Sequence, residues 1–196
     1  MRVVVALLAP IRWAPPGIDL VAFRAALAED VVDLLATLAE AEPAIAVTRA
    51  DRPLADAVAW PGMRVYELRH PTPLAALLAA AGDGHEQAAV LAPDVPDLPG
   101  LVVGKLLQPL TTRSLAAAPA LDGPGLLGIA SRLPAPGWLP DVDLDATAPQ
   151  DVRTAAPRPG DVAVTPGWHR LRGPADLYRL DPALEGWEAT RALLGG

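Results

Sequence analysis

The sequence predicts an α/β fold: a single three-layer domain, with a mostly parallel mixed sheet between helices. Three observations predict it. Apolar runs such as Val3 to Leu8, Ala44 to Thr48 and Ala88 to Ala92 are short, continuous and closed by breakers, as strands buried on both faces are. Segments with apolar residues at helical spacing separate them. The two kinds of segment alternate along the chain, which favours a parallel or mixed sheet covered on both sides. The 196 residues, 52% of them apolar, are enough for one sizeable core.

Val3 to Leu8 is rich in β-branched residues and suits a central strand. Pro10, Pro15, Pro16 and Gly17 then impose a loop, and Asp19 is placed to cap a helix. That helix carries Leu20, Phe23, Leu27, Val31, Leu34 and Leu38 on one stripe, with Arg24, Glu29, Asp30 and Asp33 largely off it, and Pro43 is expected to stop it. Ala44 to Thr48 is the second strand, Leu54 to Trp60 a helical turn and Met63 to Leu68 a third strand. Thr72 and Pro73 open a second helix with Leu74, Leu77 and Leu78 as its buried face, and Gly82 ends it. After the strand closing at Ala92, Asp97 is expected to cap a helix to about Leu107. Ser114 to Pro119 and Leu126 to Ala130 read as strands flanking a turn at 121–125. From about Pro134 the chain becomes irregular and rich in Pro, Asp and Gly. A helix over Pro149 to Ala155, a short strand over Asp161 to Val164 and a last amphipathic segment over Glu185 to Leu194 are expected there.

The composition excludes several classes of function. A net charge of -7 without a basic run argues against a nucleic-acid partner. The absence of cysteine removes disulfides, thiolate catalysis and zinc–thiolate sites. No stretch approaches the length of a membrane span, so no membrane association and a cytoplasmic location are expected. The sequence leaves the oligomeric state open, a homo-oligomer included. His70, His85 and His169 are too scattered to mark a metal site or triad, and Trp138, Trp168 and Trp187 are expected to pack the C-terminal part.

The main site candidate is Asp94, which follows the strand ending at Ala92, where open α/β sheets place their ligands. A metal-ligand role and an ordinary hydrogen-bonded loop aspartate are both consistent with it. Asp97 three residues on is explained by helix capping alone. Arg170 and Arg172 alternate, so on a strand they share a face that can hold a phosphate through guanidinium contacts, or pair with acids such as Asp176. Arg12, near the end of the first strand, has the same two readings. Asp122 and Gly123 form either a plain turn or a substrate-facing loop.

Three strings carry a family resemblance. Ala92-Pro93-Asp94-Val95-Pro96-Asp97-Leu98-Pro99 is similar to a Gly-Ser-Asp-Ser-Pro-Asp-Leu-Pro motif, and Ala118-Pro119-Ala120-Leu121-Asp122-Gly123-Pro124-Gly125 to Gly-Pro-Ala-x-Asp-Gly-Gly-Tyr. Ala28-Glu29-Asp30 in the early helix is similar to a Leu-x-Asp. Over roughly residues 1 to 180 the chain resembles the DUF2064 family, glycosyltransferase-like proteins of the GT-A nucleotide-diphospho-sugar transferase fold. The resemblance implies a transferase that binds a nucleotide or nucleotide sugar and moves a glycosyl or nucleotidyl group with the help of Mg²⁺ or Mn²⁺. Asp94 and Asp97 would serve the metal, and Arg12, Asp122, Gly123, Arg170 and Arg172 the nucleotide. A hard divalent cation prefers carboxylate and water oxygens and offsets the charge of the leaving nucleotide. The departures imply the alternative, a catalytically degenerate binding or interaction module. The first loop has no lysine, Pro124 replaces a glycine, and Arg170-Leu171-Arg172 stands where the family has Asp-Val-Asp.

Overall fold

In the computed structural model, which describes residues 1–121 and 123–195, β1 (Arg2–Leu7) lies inside an eight-stranded sheet. Its neighbours are β2 (Glu42–Thr48) and β4 (Gln87–Leu91), both parallel to it, and β3 (Arg64–Leu68) extends the parallel block beyond β2. On the other side β6 (Leu126–Arg132) runs antiparallel to both β4 and β5 (Leu115–Leu121). Beyond β5, and parallel to it, come β7 (Val162–Val164) and the two-residue β8 (Trp168–His169). The strand order is β3-β2-β1-β4-β6-β5-β7, with β8 on β5.

Because side chains alternate along a strand, β1 feeds two cores. Val4, Ala6 and Leu8 pack with α1 (Leu20–Ala36), α2 (Arg52–Val58) and α4 (Gly100–Leu107) on one face. Val3, Val5 and Leu7 pack with α3 (Pro73–Gly82) and α5 (Pro149–Ala155) on the other. A smaller cluster joins Phe23 and Leu27 of α1 to Leu171, with Ile11, Trp13 and Leu193 against it. Among the described residues no helix is long and apolar enough to cross a membrane.

The expected caps form. Asp19 accepts from the amides of Val21 and Ala22, and Thr72 from that of Ala75. Other expectations are corrected. Helix α1 stops at Thr37, whose hydroxyl and amide close on the Leu34 carbonyl, and Pro43 instead lies in β2. The proline is tolerated because β3 begins pairing only at Ala44, so no ladder bond needs its missing N–H on that side. In α3 the buried face is Ala76, Leu77 and Ala80, while Leu78 is exposed.

Asp30, expected on the polar side of α1, is buried. Its carboxylate accepts from the amides of Ala189 at 2.9 Å and Thr190 at 2.8 Å, the open N-terminus of α6 (Glu188–Leu194). Burial pushes the pKa of Asp30 up to about 6, against the pull of these hydrogen bonds. A raised carboxyl pKa contributes stability that is full below the unfolded value, near 3.8, and is lost as pH rises through about 6. Asp30→Asn is therefore expected to remove a downward slope of stability between these pH values, measured by urea unfolding of both proteins across that range. Parallel pH profiles would contradict the assignment.

Candidate functional site

Sheet order turns at β1 and β4: β2 and β3 extend the sheet on one side, and the antiparallel β6, followed by β5 and β7, on the other. In open α/β sheets a crevice beyond the strand ends at such a point is the usual place for a ligand. A cavity of about 520 Å³ opens there. Leu7, Ala9, Pro10, Ile11, Arg12 and Trp13 line it from the end of β1, and Pro93 and Asp94 from the end of β4. The irregular stretch between β6 and α5 adds Asp141, Asp143 and Asp145, and the stretch after β8 adds Arg170, Leu171 and Arg172.

Asp94 and Arg170 form the core of the site. The Asp94 side chain is 5% exposed, and both its oxygens are taken by Arg170: Nε donates to Oδ1 at 2.6 Å and Nη2 to Oδ2 at 3.0 Å. Arg170 Nη2 also donates to Asp145 Oδ1 at 2.7 Å, and Nη1 to the carbonyls of Leu126 at 3.1 Å and Leu144 at 2.8 Å. All five N–H groups of the guanidinium thus have acceptors. Burial alone would lower the pKa of Arg170, but Asp94 and Asp145 hold it above the ordinary value. The Leu171 amide donates to the Asp94 carbonyl at 2.8 Å, fixing the two segments through the main chain as well.

Arg172 is placed differently. Its Nη1 donates to the Pro124 carbonyl at 2.7 Å, and Nε stands 3.9 Å from Asp94 Oδ2. Nε and Nη2 are enclosed and have no hydrogen-bond partner among the described residues. Burial and the adjacent positive charge of Arg170 push its pKa down. A buried donor left without an acceptor costs on the order of 1–3 kcal/mol, and more when it is charged.

Gly125 makes this arrangement possible. Its φ is +90°, and a Cβ there would lie 2.2 Å from the Leu144 carbonyl oxygen that accepts from Arg170.

Asp97 does not cap α4, whose N-cap is Pro99 without a side-chain bond. Instead it accepts from Trp168 Nε1 at 3.0 Å and from the Asp181 amide at 3.2 Å, with His169 Nε2 at 3.0 Å. Burial raises its pKa, but the hydrogen bonds from His169 and Trp168, the His169 charge and the Asp181 amide together hold it below the ordinary value. It pins the C-terminal part to the β4 loop and does not line the cavity. Gly123 is exposed and outside the cavity lining, and Asp122 lies outside the described residues. Of the expected site residues, the fold brings together Arg12, Asp94, Arg170 and Arg172. Asp145 and Trp13 were missed. The alternation of acids in Asp141-Val142-Asp143-Leu144-Asp145 was the available signal, since Val142 and Leu144 are buried and the acids are exposed.

Solved structures match the whole fold at low identity. A protein from Desulfovibrio desulfuricans G20 named as a nucleotide-diphospho-sugar transferase superposes with a TM-score of 0.68 and 20% identity, over 99% of this chain and 96% of the other. This chain has the nucleotide-diphospho-sugar transferase fold. A CMP:2-keto-3-deoxy-manno-octonic acid synthetase complexed with CTP gives 0.58 at 14% identity, over 99% and 98% of the two chains. Glucosyl-3-phosphoglycerate synthase from Mycobacterium tuberculosis, in complex with Mn²⁺, UDP and phosphoglyceric acid, gives 0.55 at 15% identity, over 98% of this chain and 76% of that one. No family model and no curated protein matches the sequence.

The residues present do not fit a divalent cation at Asp94. Such an ion needs several free carboxylate or water oxygens around it. Here both Asp94 oxygens and one of Asp145 are committed to Arg170, those of Asp97 are engaged elsewhere, and the described residues hold no cluster of three metal-ligating side chains.

Removing one partner of a buried ion pair leaves an uncompensated charge. Arg170→Met is expected to cost roughly 3–5 kcal/mol in urea unfolding, and adding Asp94→Leu to it to recover much of the loss. A loss under about 1 kcal/mol in the single variant would show that the pair does not bear on stability.

Proposed function

We propose that this chain binds a nucleotide or nucleotide sugar in the cleft at the ends of β1 and β4, as a protein of transferase type. The observation that carries the reading is the position and make-up of the cavity. It lies at the turning point of the strand order, has a volume of about 520 Å³, within the usual span of ligand sites, and combines guanidinium groups with an aromatic ring. Arg12 and Arg172 supply positive charge for phosphate oxygens. Trp13 is braced edge-on against Phe23, with ring centroids 5.8 Å apart, and offers a ring for a base or sugar to pack on. Asp141 and Asp143 offer carboxylate acceptors for sugar hydroxyls. Solved proteins of the same fold crystallised with CTP or UDP support this reading.

A second reading is a binding module on the same scaffold without transfer chemistry. One observation favours it: the strand-end carboxylate of Asp94 is spent on Arg170 and has no oxygen left for a cation or a substrate proton.

Ligands that bind the native state raise its melting temperature by mass action, by about 2.7 kcal/mol of added stability at 100 times Kd. A panel of nucleoside mono-, di- and triphosphates and nucleotide sugars is expected to contain a compound that raises Tm. Trp13→Ala is expected to reduce that rise. No rise with any compound at millimolar concentration would sink the proposed function. Product formation from the best-bound nucleotide sugar with a mixture of acceptors separates the transferase from the module.

A further inference from the structure

Of the three arginines that line the cleft, Arg170 is fully spent, whereas Arg172 and Arg12 are not. Arg170 lies between Asp94 and Asp145 and donates to both, with its remaining N–H groups on main-chain carbonyls. A planar cation thus occupies the space between the strand-end carboxylate and a neighbouring acid, where free oxygens would be needed to hold a metal ion. It is a permanent counter-charge, delivered by the chain and buried with it. It has no donor left for a ligand.

Arg172, two residues on, complements it. Two of its three nitrogens lack an acceptor among the described residues, and both burial and the charge of Arg170 disfavour its ionised form. An anion in the cavity relieves both penalties once the side chain turns this edge of the guanidinium from its enclosed position toward the cleft, by supplying acceptors and by countering the adjacent positive charge. The carboxylates facing Arg170 are already compensated, so what is left in the cavity lining is Arg172 and Arg12 on one hand and Asp141 and Asp143 on the other. A ligand with phosphate at one end and hydroxyls at the other satisfies both sets.

We propose that the Arg170 guanidinium takes the place of a divalent cation in this cleft and that Arg172 meets the diphosphate of a nucleotide or nucleotide sugar directly, so that binding needs no metal. This rests on the nucleotide-binding reading given above and adds the means by which the phosphate charge is met.

The test is calorimetric titration of the full chain with the diphosphates of uridine, cytidine, guanosine and adenosine, in EDTA and again with Mg²⁺ or Mn²⁺. A Kd that changes by less than about threefold between the two conditions, and that weakens by about tenfold or more in Arg172→Gln, is the expected result. A Kd that tightens by more than about tenfold on adding metal would overturn the inference and leave the nucleotide-binding reading standing. No binding under either condition would overturn both. A second measurement uses Mn²⁺ alone, followed by its electron paramagnetic resonance. The wild-type chain is expected to leave Mn²⁺ free, and Arg170→Asp, which returns a carboxylate beside Asp94 and Asp145, to bind it. Mn²⁺ uptake by the wild type that is abolished in Asp94→Asn would overturn the inference. If Arg170→Asp does not fold, the wild-type titrations in EDTA and in metal decide the matter by themselves.

Discussion

The ion pair between Asp94 and Arg170 joins residues 76 positions apart and ties the C-terminal third of the chain to the central strand β4. A buried carboxylate cannot stand alone, because the loss of hydration must be repaid by donors at close range. Arg170 repays it with two bonds and spends its other donors on Leu126, Leu144 and Asp145. Four segments thus converge on one guanidinium: the β4 loop, the start of β6, the 141–145 stretch and the residues after β8. The cleft has its shape because these segments cannot separate without leaving a charge unpaired.

Asp97 makes the second anchor of the same kind. It gathers Trp168, His169 and the Asp181 amide, and Asp30 does the same for the start of α6. In each case an acid on α1 or on the loop after β4 supplies acceptors to the C-terminal part of the chain. An irregular stretch has few internal backbone bonds, so its position depends on groups offered from outside. This explains how residues beyond Pro134, with weak apolar periodicity, hold one wall of a cleft.

The scaffold also serves proteins crystallised with CTP, or with Mn²⁺ and UDP. In this chain the strand-end carboxylate faces an arginine. A guanidinium and a metal ion both neutralise Asp94, but the guanidinium is directional and fixed by its chain, whereas a metal ion keeps open positions for ligand oxygens. The scaffold alone does not decide the chemistry; in this chain the guanidinium groups of Arg172 and Arg12 line the cleft beside the spent pair.

The sequence by itself determined the α/β class, the position of β1, β2 and β4, the Asp19 and Thr72 caps and the strand-end location of Asp94. These follow from local properties: apolar runs, helical spacing and side chains that reach their own backbone. It also marked Arg12, Arg170 and Arg172 as candidate anion ligands, but not which acid each would meet. Only the tertiary structure decided that Arg170 closes on Asp94, that Asp97 anchors Trp168 and His169 in place of capping α4, and that Asp145 belongs to the site. A helix cap and a long-range ion pair use the same carboxylate, and residue type and local spacing cannot choose between them. The choice is made when folding brings β8 beside β5 and sets the donors of residues 168–172 against the β4 loop.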